Sequence, residues 1–289
     1  MLFESGSQLE IIGAYAFYGL SNLKSFDLPD SVTTIGHYAF AGNVSSTAFN
    51  ISLNSALLTI GEYAFSNNKK LTTILLLDTI TSLGIRAFYE CSSLQTINIP
   101  LGITVIESGL FFNCTSLETV IFPVGSQITI ISPEAFINNF SLININLPET
   151  LTSITSYAFS NCMSLVSFYL PDSVSFIGSF AFYNYLSLVI SVEAETKPVN
   201  WENDWAYFGP IEVLFAVNHR SITLTPDNGE NKIVIFQKIG TVVIPPTDPE
   251  KLSYIFGGWY LDEVSFLVPY VFDVMPKESV TLYAKWIPE

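Results

Sequence analysis

The sequence is poor in charge and in reactive side chains. Only 13% of its 289 residues are charged, and it has two histidines and three cysteines. Eleven Lys and Arg against 26 Asp and Glu leave a formal charge of −15. A chain with this balance is repelled by phosphate backbones and anionic lipid headgroups, which excludes nucleic acid as a partner. No apolar run approaches the roughly 18 residues that a membrane helix needs, which excludes direct membrane insertion. The opening residues, Met1 to Ser5, lack the basic and apolar regions of a signal peptide. Gly6-Ser7-Gln8 recurs as Gly125-Ser126-Gln127, so the chain is expected to open inside a longer array or to have lost a leader.

The same scarcity argues against chemistry. His37 stands where Ala14, Glu62 and Ile85 stand elsewhere, and His219 lies at a junction; neither joins a nucleophile and an acid. No glycine-rich phosphate loop occurs. Cys91, Cys114 and Cys162 have no nearby histidine and no zinc spacing. Asp30, Glu149 and Asp172 share one periodic position, which reads as a solvated edge before it reads as a calcium site. No enzyme activity, metal or cofactor is expected.

What the sequence does have is a repeat. Phe17, Phe40, Phe65, Phe88, Phe111, Phe136, Phe159 and Phe182 follow one another at intervals of 23 or 25 residues. That period is the mark of a solenoid. In each copy Leu-x-x-Ile-x-Ile-Pro, as at Leu94 to Pro100, predicts a short strand with one face buried and a proline at its end. A return segment follows: Ile-Gly, a variable pair, then Ala-Phe. Its glycine is expected to permit a special turn conformation, and its phenylalanine to fill the layer. The extra residues of the two 25-residue copies should bulge after the strand. Three residues after the phenylalanine stand Cys91, Cys114 and Cys162, or Asn43, Asn68 and Asn139. Both residue types are small and can bond backbone, so a buried ladder of reduced cysteines and asparagines is expected.

The predicted fold is mainly β, with a leucine-rich-repeat solenoid over 1–192. Trp201, Trp205, Tyr207 and Phe208 crowd a segment read as a C-terminal cap over 193–218, with an aromatic sugar platform as the lesser alternative. A small β domain is expected over 219–289. Its strands are predicted at Ile222 to Thr225, Lys232 to Gln237, Thr241 to Ile244, Tyr254 to Tyr260 and Val280 to Trp286.

The repeat resembles the BspA-like leucine-rich repeat family, as in Ile177-Gly178-Ser179-Phe180-Ala181-Phe182 and Cys162-Met163-Ser164-Leu165. The C-terminal part resembles the Listeria–Bacteroides repeat, related to the internalin B-repeat. It carries Phe256-Gly257-Gly258-Trp259-Tyr260, Phe272 and Leu282 to Trp286, with Gly257 replacing the usual small polar or basic residue. These resemblances imply a β-grasp-like module and an extracellular or cell-wall-associated bacterial protein. They further imply adhesion to host matrix proteins or to other cells, through protein or glycan ligands on host or microbial surfaces. A monomer is expected.

The strand residues between core positions are expected on a concave, ligand-facing side. They include Ser25 and Asp27, and the candidate binding residues Thr73, Leu75, Thr96, Asn98, Thr119, Ile121, Asn144, Asn146, Ser167 and Tyr169. Their small, uncharged character suits a flat protein or glycan surface, and equally suits plain exposed strand. A passive stalk within a larger surface protein is the alternative function.

Overall fold

The computed structural model describes residues 3–4, 6–192, 196–207, 211–214, 219–229, 232–238, 242–274, 276 and 278–288, without the side chains of 219 and 236–238. Among the described residues no helix occurs. The chain divides into two compact units, Met1–Phe215 and Ala216–Glu289.

The first unit is a solenoid with two parallel ladders. One ladder contains the expected strands, including Ser25–Asp27, Ala48–Asn50, Thr96–Asn98, Thr119–Ile121, Asn144–Ile145 and Ser167–Leu170. It continues through Leu188–Val192 to Ile211–Leu214. The second ladder was not foreseen. The residues expected only to return the chain begin with two-residue strands, Ile11–Ile12, Thr34–Ile35, Thr59–Ile60 and Ser82–Leu83, which pair in that order. Val105–Ile106, Ile130–Ile131, Ser153–Ile154 and Phe176–Ile177 form an equivalent sheet. Two residues are too few to display an alternation, so the period was invisible although each inner isoleucine is buried.

The glycines after these strands serve a purpose other than the one expected. Gly84 has no left-handed φ; a Cβ there would lie 2.4 Å from the backbone nitrogen of Glu62. The glycine lets adjacent turns approach. Left-handed residues lie two before and two after each phenylalanine, and also at Gly6 and Gly125. The first set, Tyr15, Tyr38, Tyr63, Arg86, Gly109, Glu134, Tyr157 and Phe180, has φ between 53° and 61°.

The eight phenylalanines form one column. Successive centroids from Phe17 to Phe182 lie 5.0–5.7 Å apart with planes within 17°. Each backbone N–H in the column donates to the next turn, as from Phe40 to the Ala64 carbonyl at 2.8 Å. Phe26, Phe49 and Phe168 meet the column edge-on. The extra residues of the long turns include the exposed Leu53 and Val124, after the strands at Ala48–Asn50 and Thr119–Ile121.

The last layer inverts the pattern. Phe182 donates its N–H to the carbonyl of Trp205 at 2.9 Å, as Phe159 donates to Ala181. Tryptophan thus takes the alanine place and Ala206 the phenylalanine place. Trp205 is buried edge-on to Phe182, and Trp201 is buried against Trp205. Buried in this way, Trp201 and Trp205 present no open ring face to a sugar, whereas Tyr207 is exposed. Phe208 lies outside the described residues.

The second unit is a four-stranded mixed sheet. Its order is Ile233–Lys238, His219–Thr225, Val280–Pro288, Tyr254–Tyr260, with the central pair parallel and the outer pairs antiparallel. Ile222, Leu224, Val243, Trp259, Leu282 and Ala284 form its buried core. The strand predicted at Thr241 to Ile244 is reduced to one bridge, between Val242 and Val274, and Thr241 lies outside the described residues. Pro245 and Pro246, which have no N–H to donate, stop the ladder there.

Candidate functional site

The outward positions of the first ladder form rungs. Thr96, Thr119 and Asn144 are in register, as are Asn98 and Ile121, while the intervening Ile97, Val120 and Ile145 face the core. Thr73 bridges to Ala48, Ser167 pairs with Val189, and Tyr169 pairs with Ser191. Thr73, Leu75, Thr96, Asn144, Asn146 and Ser167 are exposed; Asn98, Thr119, Ile121 and Tyr169 are partly buried. No strand pairing joins the Thr73 turn to the Thr96 turn. There the Asn98 amide donates to the Leu76 carbonyl and its oxygen accepts the Leu76 N–H at 3.1 Å. Asn98 therefore stitches a gap in the ladder, and its amide is already occupied.

The cysteines lie in the ladder expected for them. Cys91, Cys114 and Cys162 are free and buried, with each Sγ donating to the carbonyl of Phe65, Phe88 or Phe136 at 3.1, 3.1 and 3.2 Å. Asn68 and Asn139 make the same bond to Phe40 and Phe111, both at 2.9 Å. Tyr185 joins the series unannounced, donating its hydroxyl to Phe159 at 2.6 Å. Asn43 breaks it: its side chain is buried with neither amide atom partnered. Burial pushes the Cys91 and Cys162 thiols up to about 12, and that of Cys114 well above its ordinary value. Such thiols are protonated and unreactive at neutral pH.

Two further ladders escaped the sequence reading. Asn113, Asn138, Asn161 and Asn184, two residues after the phenylalanine, link amide to amide at 2.6–2.7 Å. Two residues before it, Tyr15, Tyr38 and Tyr63 stack at 5.0 and 4.6 Å. Arg86 follows in the series, donating to the Tyr63 hydroxyl and to Glu134 at 2.9 Å each. Its partner lies two turns away because Gly109 occupies the turn between. A Cβ on Gly109 would lie 2.8 Å from the Arg86 Cγ. The clue in the sequence was position: this place had been read as one of a variable pair.

His37 is exposed, 3.6 Å from Glu62. The side chain of His219 is not among those described. No group of three His, Cys, Asp or Glu that could hold a metal occurs among the described residues. No helix among them is long and apolar enough to cross a membrane.

The BspA type leucine-rich repeat region model matches residues 10–137 and 129–198 in six copies. The Listeria–Bacteroides repeat domain model matches residues 221–285. No curated protein matches the chain. Among solved structures, a leucine-rich repeat protein from Eubacterium ventriosum is 29% identical, with a TM-score of 0.53 over 57% of this chain and 43% of that one. Another, from Bacteroides ovatus, is 22% identical, with a TM-score of 0.56 over 76% of this chain and 61% of that one. The chain thus spans less than two thirds of the length of either. With its stacked Ile-Gly, Ala-Phe and Cys/Asn positions and a matching model over most of its length, this chain belongs to the BspA type leucine-rich repeat family.

Proposed function

We propose that this is a non-enzymatic binding protein of a bacterial surface or its surroundings, and that its solenoid captures proteins or glycans of host or microbial surfaces. The candidate contact residues are the exposed rungs Thr73, Leu75, Thr96, Asn144, Asn146 and Ser167, with the partly buried Thr119, Ile121 and Tyr169. One observation carries the reading. Along one ladder the inward residue is apolar and buried, while the outward places hold threonine, asparagine, serine, leucine, isoleucine or tyrosine according to the turn. Such a surface can vary its specificity without disturbing the fold, as repeat proteins do when they bind other proteins. The family resemblance supports the location.

The test is capture of host matrix proteins and microbial surface components by the full chain, compared with a Thr96→Arg/Thr119→Arg/Ser167→Arg variant. Loss of capture at unchanged thermal stability supports the reading. Unchanged capture contradicts it, and no capture by the unaltered chain favours the stalk.

A further inference from the structure

We infer that turns six to eight carry an anchoring patch for a cationic, aliphatic segment of a partner protein, a deepening that rests on the protein-binding reading above. Four and seven residues after the phenylalanine, the third to fifth turns carry Lys69 and Thr72, Ser92 and Gln95, Thr115 and Glu118. From the sixth turn those places become apolar: Phe140 and Ile143, then Met163 and Val166, then Leu186. They are not core residues, since Ile143, Val166 and Leu186 are 56%, 64% and 75% exposed. Ile143 and Val166 lead into Asn144–Ile145 and Ser167–Leu170, the outward ladder of successive turns, although these two strands are not hydrogen-bonded to each other. The buried Leu142 and Leu165 beside them already fill the layer, so the exposed side chains add nothing to the core.

Charge selects the occupant. Between Arg86 and Lys197 there is no Lys or Arg, whereas eight Asp or Glu occur. Exposed Glu118 borders the patch: Ile143 donates its N–H to the Glu118 carbonyl at 3.2 Å. Exposed Asp172 stands just past the far end of the strand Ser167–Leu170. Apolar side chains at the strand entrance and carboxylates beside them and at its exit suit an extended segment that carries both aliphatic residues and Lys or Arg. An acidic or wholly polar partner gains nothing from this surface.

The probes are three labelled dodecapeptides of alternating Lys-Leu, Lys-Ser and Glu-Leu, titrated into the full chain at physiological salt. Lys-Leu should bind at least tenfold more tightly than either other peptide. An Ile143→Ser/Val166→Ser/Leu186→Ser variant should lose at least tenfold in Lys-Leu affinity with an unchanged unfolding midpoint. A Thr72→Ala/Gln95→Ala variant should bind as the unaltered chain does. Equal binding of Lys-Leu and Lys-Ser, full affinity in the triple variant, or no Lys-Leu binding would each overturn the patch. Those results would leave the capture of larger ligands by the strand rungs standing, because that is measured separately.

Discussion

The two units bury their aromatic residues by different means. In the solenoid, each phenylalanine between the ends of the column stacks on one above and one below, and the solution is written eight times. In the C-terminal unit, Phe256 meets Trp259 and Trp286 edge-on at 5.4 and 5.7 Å, and the Trp286 N–H donates to the Pro226 carbonyl at 2.7 Å. That cluster occurs once. Charge is divided unequally too: 17 acidic and five basic residues precede Ala216, against nine and six from there on. The contrast shows where sequence can vary. A repeat shares its specification among copies and frees the outward positions, whereas a small domain concentrates it in a few large side chains. The C-terminal unit nevertheless exposes Val264, Leu267 and Val271, so it is a real competitor as a binding surface.

The largest effects should come from the two cores. Phe111→Ala should destabilise the solenoid by about 3–5 kcal/mol and Trp259→Ala the C-terminal unit by a similar amount. Hydrogen exchange should place the loosening within the mutated unit; loosening spread evenly over both would break the distinction. Next comes the Arg86–Gly109–Glu134 clasp of the solenoid. Gly109→Ala should cost about 1–3 kcal/mol, partly from its left-handed backbone and partly by crowding Arg86. In the Arg86→Ala background the crowding part should disappear and the backbone part remain, and strict additivity in denaturant unfolding would refute the clasp. All three thiols are in the solenoid. Their raised pKa values mean that the folded state holds protons the unfolded chain releases. This stability is complete below the unfolded value near pH 9 and is lost as pH rises towards about 12. Alkylation at pH 9 should accordingly be slow in the native chain and modify three thiols in denaturant. The smallest effect belongs to the C-terminal unit. Hydrogen bonds from Ser265, aided by the N–H groups of Phe266 and Leu267, hold Asp262 down to about 2. Its carboxyl should titrate near pH 2 by NMR, and the turn at 262–267 should loosen only as pH falls from about 4 through that value. Titration near 4 would show the turn to be open.

The repeat, its buried phenylalanines and the cysteine–asparagine ladder were legible because each feature recurs at fixed offsets, and recurrence substitutes for an alignment. The second ladder was not legible, because a two-residue strand such as Thr59–Ile60 has no period. The clasp was hidden for a different reason. Tyr63, Arg86, Gly109 and Glu134 look like random variation at one place until left-handed backbone and stacking show that neighbours must be read together. Of the candidate rungs, Thr96, Thr119 and Asn144 lie in register as alternation predicts, and so does Asn98, but its amide is taken up by the Leu76 backbone of the neighbouring turn. No sequence pattern announces a gap in pairing. The Thr241 strand failed where the C-terminal unit offers no second copy against which to check it.

The claim that binding belongs to the variable face of the solenoid is tested most directly by comparing two variants of the full chain in one capture assay. One variant carries Thr96→Arg/Thr119→Arg/Ser167→Arg on the rungs, and the other Val264→Arg/Leu267→Arg/Val271→Arg on the C-terminal unit. These surface changes, of which only Thr119 is partly buried, should each alter stability by no more than about 0.5 kcal/mol. Capture of a surface ligand should fall at least tenfold in the first variant and stay unchanged in the second; the reverse outcome would contradict the account.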